Sequence, residues 1–508
     1  MRTLPILTLV ALAGCGSSSD NASICNQQSL ATDPNCQTTC SPLPGAPNTC
    51  PGGYHCAPEG TCDAQCDAMH PCGDGYLCTQ DGYCVDDTAI IDCAAQGKPA
   101  TTITGKILAP NGTLPLFGID VYTPAFALDP FQPGAQCERC SSGLPGAALA
   151  QTQSLEDGTF TITNAPTGDN VNLVVTTGKW RRQYKIPHVE ACTETKVPPD
   201  VTRLPKDTTE GELPHIALST GNADALECLL HKLGIADKEF TTLAQGGRVS
   251  MFTDGGAGND AGTGSFKPGY PGGSGDFPDS TTLWNTVDAM KPFDIVVLSC
   301  EGAQHPETKS QAAMSAMKAY ADLGGRVFLS HWHNIWIEGS TEDNQMTQAP
   351  AVWPGIAEFN NSSTTLDNGS KDTIDEMANP KGASFAQWML NVGGSTMKDL
   401  IPLEDQTGKN TCTMVDPTKA ERWVYLDGTH TGGVHGVQNF QFTTPNEQAP
   451  NTRCGKVVFS DMHVSGDSTS DPAKPFPTGC STGDLTPQEK ALAFMFFDIS
   501  SCVSGGLL

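Results

Sequence analysis

Positive charge is scarce in this chain: 29 Lys and Arg stand against 56 Asp and Glu, a formal net charge of −27 over 508 residues. So acidic a surface repels phosphate backbones, which argues against a nucleic-acid partner and leaves cations, basic partners or plain solubility. Charge of either sign is thin, at 17% of residues. Long apolar runs are missing as well. Beyond the first fourteen residues none reaches the roughly 18 residues that a membrane-spanning helix needs. Chain-turning residues are plentiful instead, with 53 Gly and 37 Pro. That composition suits a loop-rich β or α/β protein and argues against a helical bundle. The length allows two or three domains.

The start of the chain has its own pattern. Arg2 precedes an apolar stretch from Leu4 to Ala13, and Leu12-Ala13-Gly14 leads into Cys15. A positive start, a hydrophobic core too short to span a bilayer and small residues at the cut make a secretory signal. The cysteine at the cut resembles the bacterial lipobox. The resemblance implies removal of residues 1–14, a lipid on Cys15 and export; ordinary secretion or a short anchor is the alternative. Residues 15–24, beginning Cys15-Gly16-Ser17-Ser18-Ser19-Asp20, read as a flexible tether. Gly rather than Asp after the lipidated cysteine points, by the same resemblance, to the outer membrane, on its periplasmic face or at the cell surface. A diacylated cysteine with an amide-linked third chain anchors stably, which makes the membrane a partner.

Export governs how the other cysteines are read. Of 21, twenty remain after Cys15, an even number, and in an oxidising compartment that implies a disulfide framework. Ten lie between Cys25 and Cys84, four are Cys93, Cys137, Cys140 and Cys192, and six are Cys228, Cys300, Cys412, Cys454, Cys480 and Cys502. The even groups allow each to pair within its own domain. In the neck, residues 25–92, Cys50, Cys56 and Cys62 repeat as Cys72, Cys78 and Cys84. Both copies read C-x5-C-x5-C, with Gly-Tyr before the middle cysteine. Units this small bury no core and need staples. The pattern resembles EGF-like or Dickkopf-like disulfide modules, which act as spacers or protein-binding units. Zinc is the alternative, but it favours C-x2-C knuckles.

Residues 93–200 change to short alternating strands: Thr102–Leu108, Ile119–Tyr122, Thr159–Ile162 and Val171–Val175, with turns at Pro110-Asn111-Gly112 and Asp157-Gly158. The spacing predicts a β-sandwich. The order of Gly-x-Ile, Pro-Asn-Gly, Val-Tyr and Asp-Gly-x-Phe resembles the carboxypeptidase-regulatory-like (transthyretin-like) domain, which is generally noncatalytic. An insertion, Phe126–Leu149, departs from that pattern and carries Cys137 and Cys140. This C-x2-C reads as a structural disulfide more readily than as a redox pair, since no strand-then-helix setting surrounds it. Trp180-Arg181-Arg182 suits an anionic glycan or, more simply, a strand whose arginines pair with nearby carboxylates.

From 210 to 504 strands and helices alternate. Strands are predicted at His215–Gly221, Val249–Phe252, Asp294–Cys300, Arg326–His331, Trp423–Leu426 and Lys456–Ser460, and helices at Ala223–Leu233, Leu283–Met290, Gln311–Leu323 and Glu489–Asp498. Thr486-Pro487-Gln488-Glu489 is a capping box with Pro at the first helical position. The alternation predicts an α/β doubly wound (flavodoxin-like) domain with insertions near 253–280 and 340–415. The run Phe293–His331 (strand, helix, Gly-Gly, strand ending in His) resembles the ThuA-like branch of the class I glutamine-amidotransferase-like fold. Cys454–His463 is similar to that group's second strand ending in His. The whole layout of small disulfide-rich modules, β-sandwich and α/β domain resembles large lipoprotein families of myxobacteria.

Ligands of open α/β sheets bind beyond the carboxyl ends of the strands. Cys300-Glu301-Gly302, His331-Trp332-His333 and Asp461-Met462-His463 fall there. One reading is a hydrolase or amidotransferase-like enzyme, with Cys300 as nucleophile and His331 or His463 as base. Leu298-Ser299-Cys300-Glu301-Gly302 lacks the first Gly of the Gly-x-Cys-x-Gly elbow that the resemblance implies. A second reading is a divalent-metal or sugar site built from His331, His333, Asp461 and His463, with side chains at i and i+2 sharing a face of an extended segment. The third is a noncatalytic envelope protein that binds a glycan or another protein, the reading that the neck and middle domain favour. Zinc suits the imidazole set. Calcium enters through Gly255–Thr263, which resembles one RTX-type nonapeptide, a motif that works in tandem copies. A surface loop is the simpler reading of that stretch.

Overall fold

The computed structural model of the protein describes residues 23–26, 32–140, 143–253, 263–339, 351–360, 365–404, 408–464 and 475–503. The lipidation candidate Cys15 and most of the RTX-like stretch lie outside them. No helix among the described residues is long and apolar enough to cross a membrane. The molecule is multidomain and rich in sheet, with a disulfide-dense N-terminal region, two smaller sheets, one large mixed sheet and few helices.

The neck holds two hairpins, His55–Cys56 with Cys62–Asp63 and Tyr76–Cys78 with Cys84–Asp86. Each repeat closes its first cysteine on its third, Cys50–Cys62 and Cys72–Cys84. Its middle cysteine reaches upstream, Cys56 to Cys40 and Cys78 to Cys66, and Cys25–Cys36 completes the set. With every cysteine here oxidised, no thiolate remains to bind zinc.

In the middle domain β1 (Thr102–Lys106), β2 (Asp120–Pro124), β3 (Ala148–Gln153), β4 (Thr159–Thr163), β5 (Gly168–Thr177), β6 (Trp180–Val189) and β7 (Glu194–Lys196) form two sheets, β6-β5-β2-β3 and β7-β1-β4. Alternate residues such as Ile103, Val121, Phe160, Ile162 and Val175 enter one buried cluster. Cys93–Cys192 ties the ends of the domain. In the basic cluster, Trp180 is buried, and Arg181 pairs with Glu212 and lies 4.0 Å over the Phe131 ring. These side chains belong to the packing and offer no exposed basic patch.

The large sheet has ten strands. Its elements are β8 (Ile216–Thr220), α1 (Leu226–Lys232), β9 (Phe240–Thr241), β10 (Val249–Thr253), β11 (Ile295–Leu298), α2 (Gln311–Asp322), β12 (Arg326–Ser330), β13 (Lys371–Ile374), α3 (Gly382–Asn391), β14 (Leu400–Pro402), β15 (Glu421–Asp427), β16 (His435–Thr444), β17 (Gly455–Ser460) and α4 (Pro487–Ser500). The order is β9-β10-β8-β11-β12-β17-β16-β15-β13-β14. The first six strands are parallel and the last four antiparallel. The strands β8, β11, β12 and β17 are buried along their whole length, which their unbroken apolar runs require. Part of the segment expected as an insertion near 340–415 supplies strands β13 and β14 to this sheet.

Disulfide pairing departs from the expectation that each cysteine group closes on itself. Cys137 bonds Cys454 and Cys140 bonds Cys502, so the middle-domain insertion is stapled to the large sheet and to the end of α4. Cys228 bonds Cys480. Among the described residues Cys300 and Cys412 are free and buried, which corrects their place among the disulfide candidates. The apolar cluster also runs without a break from the middle domain into α4.

Candidate functional site

Three adjacent parallel strands end at one point. Cys300 follows β11 by two residues, His331 follows β12 directly, and His463 follows β17 by three. The Cys300 sulfur lies 3.4 Å from His331 Nδ1. The rings of His331 and His463 meet edge to face with centroids 4.9 Å apart. One donor atom from each of the three lies within 4.8 Å of the others. All three are buried, with Cys300 0%, His331 3% and His463 4% exposed.

Local backbone geometry makes this convergence. Arg326–Ser330 stays extended, then the chain turns into a 3-10 helix over His331–Asn334. His331 sits at the corner with φ 43°, a left-handed conformation uncommon for a residue with a side chain. Gly302 (φ 94°) lets the chain after Cys300 fold back so that its N–H donates to the sulfur at 3.5 Å. The Trp332 backbone also bonds the sulfur. Opposite Cys300, Gly221 leaves no room for a side chain: a Cβ there would stand 2.2 Å from the Cys300 carbonyl oxygen. Asp224, fully buried, laces the strand ends together. It accepts from Ser330 Oγ at 2.5 Å, from the Val464 N–H at 2.7 Å and from the Ala225 N–H at 2.9 Å.

The other predicted site residues do not join. His333 lies in the 3-10 helix, so it does not share a face with His331 as an extended segment would require. Its Nε2 bonds the Ser299 carbonyl at 2.9 Å and its Nδ1 accepts from Trp336 Nε1 at 3.1 Å, which uses both nitrogens. Asp461 is taken by Thr411 N–H (2.7 Å), Thr411 Oγ1 (2.6 Å) and Cys412 N–H (3.0 Å), and so anchors the Thr411–Cys412 segment. Cys300 takes their place beside the two histidines. The signal for it was present in the sequence: it stands at a strand end level with His331, but read there as a nucleophile or a disulfide half.

The electrostatics are those of a dry, neutral site. Burial pushes the Cys300 thiol up to about 12, against the two backbone bonds that favour its thiolate. Burial and the neighbouring His463 and Lys409 charges hold His331 well below the usual imidazole range. Burial, with help from Lys409, brings His463 down to about 3. Burial likewise raises Asp461 to about 6 despite its three bonds. Among the described residues nothing hydrogen-bonds His463 Nε2, although it is buried. Leaving such an atom unsatisfied costs about 1–3 kcal/mol. The arrangement offers a thiol with backbone donors aimed at it, two neutral imidazoles and one orphaned nitrogen. That donor set fits a soft or borderline divalent cation.

No family model matches the chain, and no curated protein matches it. Among solved structures, a C-terminal interface mutant of a type II cohesin–X-dockerin complex from Acetivibrio cellulolyticus is similar over 28% of this chain and 75% of that chain, at 15% identity and TM-score 0.16. The N-terminal interface mutant of the same complex gives 15% identity and TM-score 0.14 over the same shares. A cytoplasmic protein from Salmonella typhimurium is similar over 49% of this chain and 88% of that chain, at 9% identity and TM-score 0.26. Similarity at these TM-scores assigns no fold.

Proposed function

We propose that the chain is an exported, lipid-anchored envelope protein that works by binding, and that its C-terminal domain holds one divalent transition metal, best matched by zinc, on Cys300, His331 and His463. The carrying observation is the convergence of these donors within 4.8 Å in a buried site that leaves His463 Nε2 unbonded. Tetrahedral zinc with bonds of 2.0–2.3 Å sets its ligands roughly 3.5 Å apart, close to the 3.4 Å between Cys300 Sγ and His331 Nδ1. Three protein ligands leave a fourth position for water or a ligand. The metal would supply Lewis acidity and a fixed charge. Cys300, once deprotonated, is held by the Gly302 and Trp332 amides; the histidines donate as neutral rings.

The parallel run of β8, β11, β12 and β17 and the histidines closing β12 and β17 support reading this domain as ThuA-like, with a doubly wound core. The nucleophile reading has the Cys300–His331 contact in its favour. A thiol pushed up to about 12 and 0% exposed argues against it.

The test is metal analysis of the full chain purified oxidised. One zinc per chain is expected, lost in both Cys300→Ser and His463→Gln while the fold persists by circular dichroism. A metal-free protein that takes up no zinc on titration, or a Cys300 alkylated within minutes in the native state, overturns the proposal; the latter restores the enzyme.

A further inference from the structure

A second built site lies where the middle domain meets the large sheet. A cavity of about 370 Å³ opens there, within the size range of small-molecule sites. One wall is Leu116–Asp120 with Gln153; the other carries Trp388, Phe494, Gln441, Lys456 and Asp498. The Cys140–Cys502 disulfide is itself part of the lining, so the two walls are covalently held. Gln153 and Pro380–Lys381 are exposed and mark the mouth.

The lining has two characters. Aromatic faces make one part: Phe117 stacks on Phe494 (6.0 Å, 9°) and Trp388 meets Phe494 at 5.3 Å. Polar groups make the other. Asp498 pairs with both Lys381 and Lys456, and Lys456 Nζ also reaches Ser501 Oγ at 3.1 Å; the triad keeps one positive charge. Two carboxylate–amide pairs remain. Gln153 Nε2 donates to Asp120 Oδ1 at 2.8 Å, and Gln441 Nε2 donates to Glu421 Oε2 at 2.6 Å. Gln441 is 6% exposed, and its Oε1 has no partner among the described residues.

We infer that this cavity binds a small neutral polyhydroxylated molecule, a sugar of one or two rings. Each carboxylate is oriented by one amide and keeps acceptor capacity for hydroxyl donors. Trp388 and Phe494 supply apolar contact for the C–H face of a ring. An apolar occupant leaves those polar atoms unpaired. An anionic occupant is disfavoured, because the lining sets three carboxylates (Asp120, Glu421 and Asp498) against two lysines (Lys381 and Lys456). The inference rests on reading the chain as a binding protein but not on the metal.

The test is calorimetric titration of the full chain with glucose, galactose, N-acetylglucosamine and maltose, with indole as the apolar control and zinc content measured on the same samples. Saturable binding of at least one sugar with Kd below ~10 mM is expected. Gln441→Leu should weaken it at least about tenfold. Asp120→Asn, milder and at the half-buried rim, should also weaken it and decides the matter if the first variant fails to fold. Zinc content should not change in either. No sugar binding, indole binding alone, or sugar binding unchanged by Asp120→Asn overturns the inference. A wild-type chain that binds sugar but neither holds nor takes up zinc overturns the metal proposal instead.

Discussion

At the scale of single residues, protonation decides what the strand-end site does. Cys300 carries its proton up to about 12, and His463 has lost its own above about 3. A metal entering near neutral pH therefore displaces one proton, from the thiol, and none from the rings. Apparent zinc affinity should rise about tenfold per pH unit between roughly pH 6 and 9; a slope near zero in competition titrations would show that the sulfur is not a ligand. Asp224 is a separate case. Burial raises its carboxyl from 3.8 to about 7. The folded state thus keeps a proton that the unfolded chain releases, and the contribution of this group falls as pH rises from about 4 to 7. Asp224→Asn removes that fall. Unfolding free energies from urea titrations at pH 5 and pH 8 should show the wild type losing about 2.6 kcal/mol relative to the variant, and parallel curves would count against the shift.

At the scale of elements, hydrophobic pattern carried most of the information. Continuous apolar runs marked β8, β11, β12 and β17, and the helical stripe after β8 marked α1. The Thr486–Glu489 capping box closes reciprocally in the structure, with the Glu489 N–H donating to Thr486 Oγ1 at 3.2 Å and Thr486 N–H to Glu489 Oε2 at 2.9 Å. The antiparallel half was harder to see. Lys371-Asp372-Thr373-Ile374 is short and polar, so β13 has little periodicity to read and is recognised only by its pairing with β14 and β15. The site failed at a corner, because period-two reasoning runs through His331 and the chain stops being extended there. Gly221 tests how tightly the strand ends are set. In Gly221→Ala the new methyl meets Cys300 backbone, which has no flexible end to yield. Zinc affinity should drop at least about tenfold with the helical content unchanged by circular dichroism, and unchanged affinity would show that the Cys300 turn is free to move.

At the scale of the whole molecule, the domains are one stapled body. Cysteine counts predicted a disulfide framework, but connectivity is not contained in spacing, and the even groups suggested self-contained domains. Instead the staples cross, closing loops of 317 and 362 residues. Removing one with Cys140→Ser and Cys502→Ser together should cost about 2–5 kcal/mol, read as a lower urea midpoint, and should widen the sugar cavity whose wall it forms. Non-reducing peptide mapping should find Cys137 joined to Cys454; a Cys137–Cys140 peptide as the main species would refute the crossing.

That crossing also sets a problem of timing. Cys137 and Cys140 lie hundreds of residues ahead of their partners in the chain. Three positions apart and unfettered, they are each other's nearest oxidation target. Where that pair closes first, the native bonds must be reached by reshuffling, and folding is then expected to need a disulfide isomerase. In cells lacking one, the chain should accumulate with a Cys137–Cys140 loop and with Cys454 and Cys502 reduced, a species that alkylation and mass spectrometry distinguish.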